Sequence, residues 1–433
     1  MQWILVTGYT FLILALLPRI PFFRLPAVPI PWIQCVFLLK VLAGIGLGII
    51  YSHYYTDRST ADTFKFFDDS RIIFNALRDS PGDFLRMLSG YHSNSTDLEQ
   101  KYYVHMTAWN NRELFFNDNR SIIRINVFFQ FISLGNYYVH VVLLNLFSFT
   151  GLICLYKVFA GFPGQKKQIL FCALFLFPSV LFWGSGLLKD SILMFSVGLT
   201  LFFFTRLNTK INFINLAGMA MGITGLLLNK FYILFLLLPG LLAYLLSKQK
   251  KENAFWIFSG MYLLFALLLF SSKYISPHFD LLAILETKRR DFAAIAISGK
   301  ALHLLPLPTE SLTAFSFIKQ IPRAFGTVLL RPFIWEADSI PVFFSALENL
   351  LIVAAGLLSI IFPSASNKKD LLILLSAFFI FSLFTLIGMI TPILGAIVRY
   401  RIIGIPFLLF IIIYCMDISR LRQFISGKTL TSK

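Results

Sequence analysis

The sequence predicts an all-α polytopic membrane protein, and three observations support this fold class. Of the 433 residues, 57% are hydrophobic and only 14% are charged, whereas soluble domains are about one quarter charged. Mean hydropathy is +0.76, and apolar runs long enough to cross a bilayer recur along the chain. The net charge of +17 therefore indicates basic cytoplasmic loops rather than a nucleic-acid-binding surface.

The apolar runs predict about eleven transmembrane helices. The first run has no basic leading region and no small-residue cleavage site, so we expect a retained helix rather than a signal peptide. The predicted spans are 2–17, 32–51, 138–159, 168–188, 191–205, 211–228, 231–246, 254–273, 341–362, 370–391 and 402–417.

Two long polar connections interrupt these spans, at 52–137 and 274–340. We expect both to carry short amphipathic helices. The first lies within a core at 32–273, which follows an extra N-terminal helix and linker at 1–31. The second precedes the C-terminal helices and basic tail at 341–433.

The distribution of basic residues predicts the orientation. When the loops are assigned alternately to the two sides, the side with the C-terminal tail carries 16 Lys and Arg but only 3 Asp and Glu. The first long connection is balanced, because residues 52–125 hold nine basic and ten acidic residues. Basic loops stay in the cytoplasm, so we expect both long connections to face the periplasm of a bacterial inner membrane.

In this orientation, charged and polar groups gather at helix ends on the outer face. Such ends should be poor in Lys and Arg, so the sequence favours a site for an anionic group, such as a phosphate at headgroup depth. Interfacial anchoring of helix ends is the alternative. Lys40 is different because it lies alone inside a span, where we expect it to snorkel or to pair. The outer-face residues are Lys189, Asp190, Lys230, Arg331, Glu336, Arg399, Tyr400 and Arg401.

Three carboxylates occupy the start of the first long connection. Asp62 and Asp69 are seven residues apart, so they share one face of a predicted amphipathic helix, and Asp68 lies close to that face. Carboxylates that follow an outward-running span are well placed to meet a lipid-borne substrate. A solvated acidic face, balanced by neighbouring basic residues, explains the same pattern.

An aromatic stretch farther along this connection contains Tyr102, Tyr103 and Trp109. Such rings stack on sugars, although an interfacial aromatic belt accounts for them equally well. The sequence has no P-loop, no Gly-x-Ser-x-Gly, no His-Glu-x-x-His and no Cys/His cluster. An ATP-driven activity would therefore require a partner subunit.

Three short motifs resemble those of a known group of proteins. The resemblance covers most of residues 32–417. A predicted helix that contains Pro178 and Ser179 is followed by Lys189-Asp190, and an Arg399-Tyr400-Arg401 sequence precedes Pro406; the third motif is Arg331-Pro332-Phe333 with Glu348 downstream. Together with the topology, these motifs resemble the GT-C superfamily of membrane glycosyltransferases, in particular the protein mannosyltransferases, the aminoarabinose transferases and bacterial envelope-polysaccharide proteins.

The resemblance implies transfer of a sugar from a polyprenyl-phosphate or polyprenyl-diphosphate carrier to an envelope glycan, lipid or protein. Its catalytic acid would be Asp62 or, second, Asp69 or Asp68, and Asp190 would orient a cation or bind a divalent metal; no other cofactor is implied. The chain departs from the family in lacking a clean Asp-Glu pair in the first loop and in having an extra N-terminal helix. The implied donor-phosphate ligands are Lys189, Lys230, Arg331, Arg399 and Arg401, and the implied sugar or acceptor ligands are Tyr102, Tyr103, Trp109, Tyr400 and Glu336.

Other classes of membrane protein remain open at this point. A polysaccharide polymerase or ligase would also use lipid-diphosphate substrates, but it would rest on Arg and His more than on a loop Asp. A non-catalytic assembly subunit is compatible with the same sequence. A transporter should carry polar groups near mid-span, and the nearly uniform apolar character of the spans argues against it.

Overall fold

The computed structural model describes residues 2–54, 57–58, 61–107, 118–161, 166–275, 280–298, 304–306, 312–364 and 370–426. These parts of the chain form helices and no strand, which confirms the predicted all-α class. They divide into two compact units, Met1–Leu234 and Phe235–Lys433.

Eleven helices begin in the first unit. A long segment of shorter helices, α3 to α6, separates the apolar helices α2 and α7. The bounds are α1 Gln2–Leu16, α2 Ile30–Tyr54, α3 Asp62–Asp79, α4 Pro81–Ser89, α5 Thr96–Lys101, α6 Asp118–Ser133, α7 Tyr137–Phe159, α8 Lys166–Leu176, α9 Pro178–Trp183, α10 Lys189–Leu207 and α11 Phe213–Ser247.

The second unit begins within α11 and contains eight further helices. Amphipathic α13 follows the apolar helix α12, and a short amphipathic helix closes the described chain. The bounds are α12 Ala254–Ile275, α13 Leu281–Ser298, α14 Ala314–Leu330, α15 Ile340–Ile361, α16 Leu371–Ile390, α17 Leu394–Tyr400, α18 Ile405–Cys415 and α19 Ile418–Ile425.

Among the described residues, seven helices are long and apolar enough to cross a membrane, or eight if the bent α17–α18 pair counts as one span. The protein is therefore an integral membrane protein, but the predicted count of eleven spans is not confirmed. Six of the predicted spans correspond to α2, α7, α10, α12, α15 and α16.

The remaining five predictions differ from the structure for identifiable reasons. The predicted span 2–17 is only the 15-residue helix α1. The span 168–188 breaks into α8 and α9, because Pro178 cannot continue the hydrogen-bond ladder of a helix. The spans 211–228 and 231–246 form the single 35-residue helix α11, with Lys230 alone outside the helical φ/ψ region. The span 402–417 is bent by 64° against α17.

Close helix packing forms the core of the first unit, where α7 lies against α10. Gly151 of α7 and Gly198 of α10 face one another, and a Cβ on either would overlap a backbone carbonyl of the other helix. Small residues permit this approach in membranes, where packing rather than water exclusion drives association. A second apolar cluster joins the segment α3–α6 to α7 and α10, and it buries Phe64 and Phe67 of α3 together with Tyr137 and Ile192.

Each unit has one end rich in basic residues. In the first unit, Lys157 Nζ donates to the Phe22 carbonyl at 2.5 Å, which ties the end of α7 to the linker between α1 and α2. In the second unit, the Tyr414 hydroxyl donates to Asp370 at 3.2 Å, and the Asp417 amide donates to the Phe362 carbonyl at 2.7 Å. In the first unit, Lys189 and Asp190 lie at the opposite end of α10 from Arg206.

Candidate functional site

The N-terminus of α10 carries the most elaborate charged arrangement in the first unit. The Lys189 ammonium lies 2.7 Å from the Asp118 carboxylate and donates to the Asn119 amide oxygen at 2.5 Å. Both partners stand at the start of α6. The side chain of Lys189 is 11% exposed but that of Asp118 is 43% exposed, so one side of this ion pair is open at the protein surface.

Four further groups lie near this ion pair. Asp62, the first residue of α3, and Lys230 are both close enough to interact electrostatically with Lys189. Tyr232 is similarly close to Asp118 and to the buried Asp190, the second residue of α10. We call the whole set the Lys189 cluster, which comprises Asp62, Asp118, Asn119, Lys189, Asp190, Lys230 and Tyr232.

The sequence of α11 explains how Lys230 reaches this cluster. The first half of α11 runs antiparallel to α10, with Gly222 packed on Thr200 and Gly225 packed on Ser196. The Ser121 hydroxyl of α6 donates to the Leu228 carbonyl at 2.7 Å. The helix loses regular geometry at Lys230, where φ is −147° and ψ is 84°. Lys230 is flanked by apolar residues on both sides in α11, and it lies near the N-terminus of α10.

A break between α9 and α10, at residues 184–188, positions Lys189 and Asp190. A non-helical segment inside a membrane protein needs partners for its carbonyl groups. Lys40 Nζ donates to the Gly184 carbonyl at 2.9 Å and to the Ser185 hydroxyl at 3.1 Å.

Two other side chains complete the bonding of this break. Asn145 donates to the Ser185 carbonyl at 2.9 Å, and Ser191 donates to the Gly186 carbonyl at 3.0 Å. Three successive carbonyls are thus bonded by side chains. Lys40 lies near the middle of α2 and is fully buried, so it does not snorkel; its described partners are the Gly184 carbonyl and the Ser185 hydroxyl rather than a carboxylate.

The three first-loop carboxylates have different surroundings. Asp62 belongs to the Lys189 cluster. Asp68 forms an exposed ion pair with Arg58 at 2.8 Å, and buried Asp69 accepts a hydrogen bond from the Thr107 amide at 3.1 Å. The structure thus places Asp62 within electrostatic range of Lys189, and Asp190 follows Lys189 in α10, whereas Asp68 bonds to Arg58 and Asp69 to the Thr107 amide.

The predicted sugar-binding aromatics of the first unit lie in the apolar cluster. Tyr102 and Tyr103 are both buried there, and the Arg120 guanidinium lies 4.8 Å from the Tyr103 ring centroid. Burial raises the pKa of the Tyr103 hydroxyl, which keeps it neutral. Trp109 lies outside the described residues.

The predicted cations of the second unit form a separate arrangement. Arg401 is buried and donates to the Val328 and Arg331 carbonyls at 3.1 and 3.3 Å, and to the Glu348 carboxylate at 3.3 Å. Arg331 forms an ion pair with Glu336.

The two remaining predicted residues of this unit, Arg399 and Tyr400, are half-buried at the end of α17. The Tyr400 ring contacts Phe292 of α13 at 6.1 Å between centroids. The hydrogen bonds of Arg401 serve the end of α14, where carbonyls have no partner within the helix.

Sequence reasoning missed Asp118, Asn119 and Tyr232. Asp118 was counted only as one acidic residue among ten in the outer connection. The one local feature that marks Asp118 is its place in the first turn of an amphipathic helix. A negative charge at that position interacts favourably with the helix dipole. Among the described residues, no group of three His, Cys, Asp or Glu side chains could hold a metal ion.

Comparisons with known proteins add no family. No protein-family model, no curated protein and no solved structure matches the chain.

Proposed function

We propose that the protein is a membrane glycosyltransferase that takes a sugar from a polyprenyl-phosphate or polyprenyl-diphosphate carrier. The Lys189 cluster carries this proposal. It combines carboxylates, which can accept a proton, with two lysines, which can stabilise a leaving phosphate. Four separate elements, α3, α6, α10 and α11, supply these groups at the break in a membrane helix.

The proposed reaction is one displacement at the anomeric carbon of the donor sugar. The acceptor hydroxyl gives its proton to the Asp62 carboxylate as its oxygen forms the new glycosidic bond. The bond from the anomeric carbon to the carrier phosphate breaks, and its electron pair leaves with the phosphate. Lys230 and Lys189 stabilise the developing negative charge, because preplaced cations act strongly where water is scarce.

The electrostatics of the cluster fit this division of roles. Asp118 and Asn119 hold Lys189 by short contacts, which fixes the ammonium before substrate binds. Lys230 lies near a second cation, so an incoming phosphate would relieve the repulsion between the two lysines.

The proposed orientation follows from the basic loops. We place the basic end of each unit in the cytoplasm and the Lys189 cluster at the outer face of a bacterial inner membrane. In this topology α1, the α8–α9 pair and the two halves of α11 act as separate passages, which restores the eleven predicted from the sequence. The carrier then reaches the cluster from the outer leaflet.

The test uses purified protein in lipid nanodiscs with a panel of polyprenyl-phosphate sugars, with sugar release or transfer as the readout. Asp62→Asn should lower the rate at least about 100-fold, because general-base catalysis contributes on that scale. Asp68→Asn is the matched control: it changes the same residue type six positions away, in an exposed ion pair, and it should keep the wild-type rate.

Full activity of the Asp62→Asn variant would remove Asp62 as the base. If Arg331→Gln abolishes activity on lipid-diphosphate repeat units while Asp62→Asn is active, the polymerase or ligase alternative replaces the proposal. If wild-type protein releases and transfers no sugar from any donor in the panel, the transferase proposal fails.

A further inference from the structure

Helix α19, which closes the described chain, is too short to be stable by itself. It has eight residues, and none of them is buried within the described part of the protein. An isolated helix of fewer than about 12 residues is marginal in water. The side chains of α19 therefore need a further surface to pack against.

The two faces of α19 differ in character. Ile418, Leu421 and Ile425 follow the i, i+3, i+7 spacing of one helix face, and Ile425 is 74% exposed. Ser419 and Gln423 are exposed on the opposite face. A helix with this division lies in the plane of a membrane surface, because its apolar face then points toward the acyl chains and its polar face toward water.

This helix begins at the level where two candidate membrane spans end. The Asp417 amide donates at 2.7 Å to the carbonyl of Phe362, which directly follows candidate span α15. The Tyr414 hydroxyl donates at 3.2 Å to Asp370, the N-cap of candidate span α16. The Phe424 ring lies 5.3 Å from the Phe362 ring. These contacts hold α19 at the membrane boundary that α15 and α16 share.

Basic residues outnumber acidic residues at this boundary. The chain from Asp417 to Lys433 and the link at 362–370 together contain six Lys or Arg and two Asp. Asp417 forms an ion pair with Arg420 at 3.4 Å, but pairing within these segments leaves their excess of four positive charges unchanged. Anionic lipids attract such basic segments next to a membrane span.

We propose that α19 lies on the membrane surface and binds anionic phospholipids, with Ile418, Leu421 and Ile425 among the acyl chains. Arg422 stands one turn after Ile418, at the edge of the apolar face, where a long basic side chain can extend to the headgroup phosphates. The proposal concerns the membrane side that carries the C-terminal tail. It does not depend on sugar transfer.

Spin labels test which face of α19 meets the lipid. The variants Ile425→Cys and Gln423→Cys, in protein whose four native cysteines are replaced by alanine, are labelled in nanodiscs of phosphatidylcholine and phosphatidylglycerol. At position 425, collisions with oxygen should dominate over those with a water-soluble nickel chelate, and at position 423 the order should be reversed. The two positions share one short helix, so position 423 is a matched control for its mobility.

Hydrogen exchange in protein with its native cysteines tests the headgroup. Because α19 is marginal in water, exchange of the amides of residues 418–425 reports its release from the membrane. Exchange should be more than about fivefold slower with phosphatidylglycerol than with phosphatidylcholine alone, since each basic residue near an anionic surface contributes about that factor.

A charge-removing variant sharpens this measurement. Arg422→Gln should lower the ratio between the two lipid compositions about fivefold. Taking the ratio within one variant cancels any structural effect of losing Arg422 itself. Arg290→Gln, which removes a charge from a 76% exposed side chain of α13, is the matched control and should leave the ratio unchanged.

Three results would overturn the proposal. Equal nickel accessibility at positions 425 and 423 would mean that the apolar face meets water. Low accessibility to both reagents at position 425 would mean that protein covers it, such as a second copy of this chain. Equal exchange in the two lipid compositions would exclude anionic lipid as the partner, and this measurement decides even if the cysteine-free protein does not fold. None of these readouts involves sugar transfer, so the proposed function can fail or hold separately.

Discussion

Each unit contains a buried cation that donates hydrogen bonds to backbone carbonyl groups where a helix ends. Lys40 bonds the segment that follows α9, and Arg401 bonds the end of α14. Both are almost completely buried. Each is assisted by an asparagine, because Asn145 donates to the Ser185 carbonyl and Asn349 donates to the Pro332 carbonyl.

The two sites differ in how they balance charge. Arg401 has a carboxylate partner in Glu348, which is buried as well. The described hydrogen bonds of Lys40 go to neutral oxygens, and it forms no ion pair in the described part of the chain. A compact ammonium can therefore hold a helix end by dipoles alone, whereas the wider guanidinium spans two carbonyls and a carboxylate.

This comparison also separates structural cations from the proposed catalytic ones. Lys40 and Arg401 each donate to backbone carbonyls at a helix end, and both side chains are buried. Lys189, in contrast, pairs with an acid that is 43% exposed, and other charged groups of the cluster lie within electrostatic range. In a membrane protein, a buried cation can donate hydrogen bonds to backbone carbonyls that have no partner within a helix. A charged residue inside a membrane span is therefore not by itself evidence of a functional site.

The largest expected effect comes from removing the arginine of the charge pair. Arg401→Met removes the guanidinium that pairs with the buried Glu348 carboxylate and frees two carbonyls, so the free energy of unfolding should fall by about 3–5 kcal/mol. Thermal unfolding of purified protein in nanodiscs measures the loss. The double variant Arg401→Met with Glu348→Leu should regain much of it, because both charges of the pair are then removed together. Equal stability of the single and double variants would show that the Glu348 charge is unimportant.

Removing the unpaired cation should cost less. Lys40→Met leaves no buried charge behind, and the Gly184 carbonyl retains a contact from Ser191 at 3.3 Å. We expect a loss of about 1–3 kcal/mol, the cost of unsatisfied buried acceptors. Val41→Ala, one residue along the same helix, controls for lost packing. A loss for Lys40→Met that equals or exceeds that for Arg401→Met would refute the distinction between the two sites.

The sequence predicted the membrane helices best. It was least informative about which side chains form hydrogen bonds to the backbone where a helix is interrupted. Hydropathy located the spans well where the chain is uninterrupted, as at α7 and α16. It could not show that the apolar run around Pro178 stops short, because the cost of a break depends on partners remote in sequence, such as Lys40 and Asn145. The grouping of Lys189 with Lys230 was anticipated from charge at helix ends. The part played by Asp118 was not, because a single acid in a balanced polar segment carries no distinguishing pattern.

We expect the smallest effect at a third cation, Arg86, which also bonds a backbone carbonyl and a carboxylate but is exposed. Arg86 donates to the His92 carbonyl at 3.2 Å and forms an exposed ion pair with Asp97 at 2.7 Å. The hydrogen bond from Arg86, assisted by Ser95, holds the pKa of Asp97 well below its usual range. A carboxylate with a lowered folded-state pKa stabilises the fold above its unfolded pKa, about 3.9, and that contribution is lost as the pH falls below this value.

Hydrogen exchange of residues 92–101, corrected for the intrinsic pH dependence of exchange, should detect this titration. Protection should be constant between about pH 5 and 7 and should decrease below about pH 4. Asp97→Asn should remove the pH dependence and should lower stability less than Lys40→Met, because water replaces the lost contacts of an exposed pair. Two results would contradict this prediction. One is protection that changes with pH above pH 5; the other is a loss of stability in Asp97→Asn as large as that in Lys40→Met. Either result would mean that the exposed Arg86 pair does not contribute less to stability than the two buried cations.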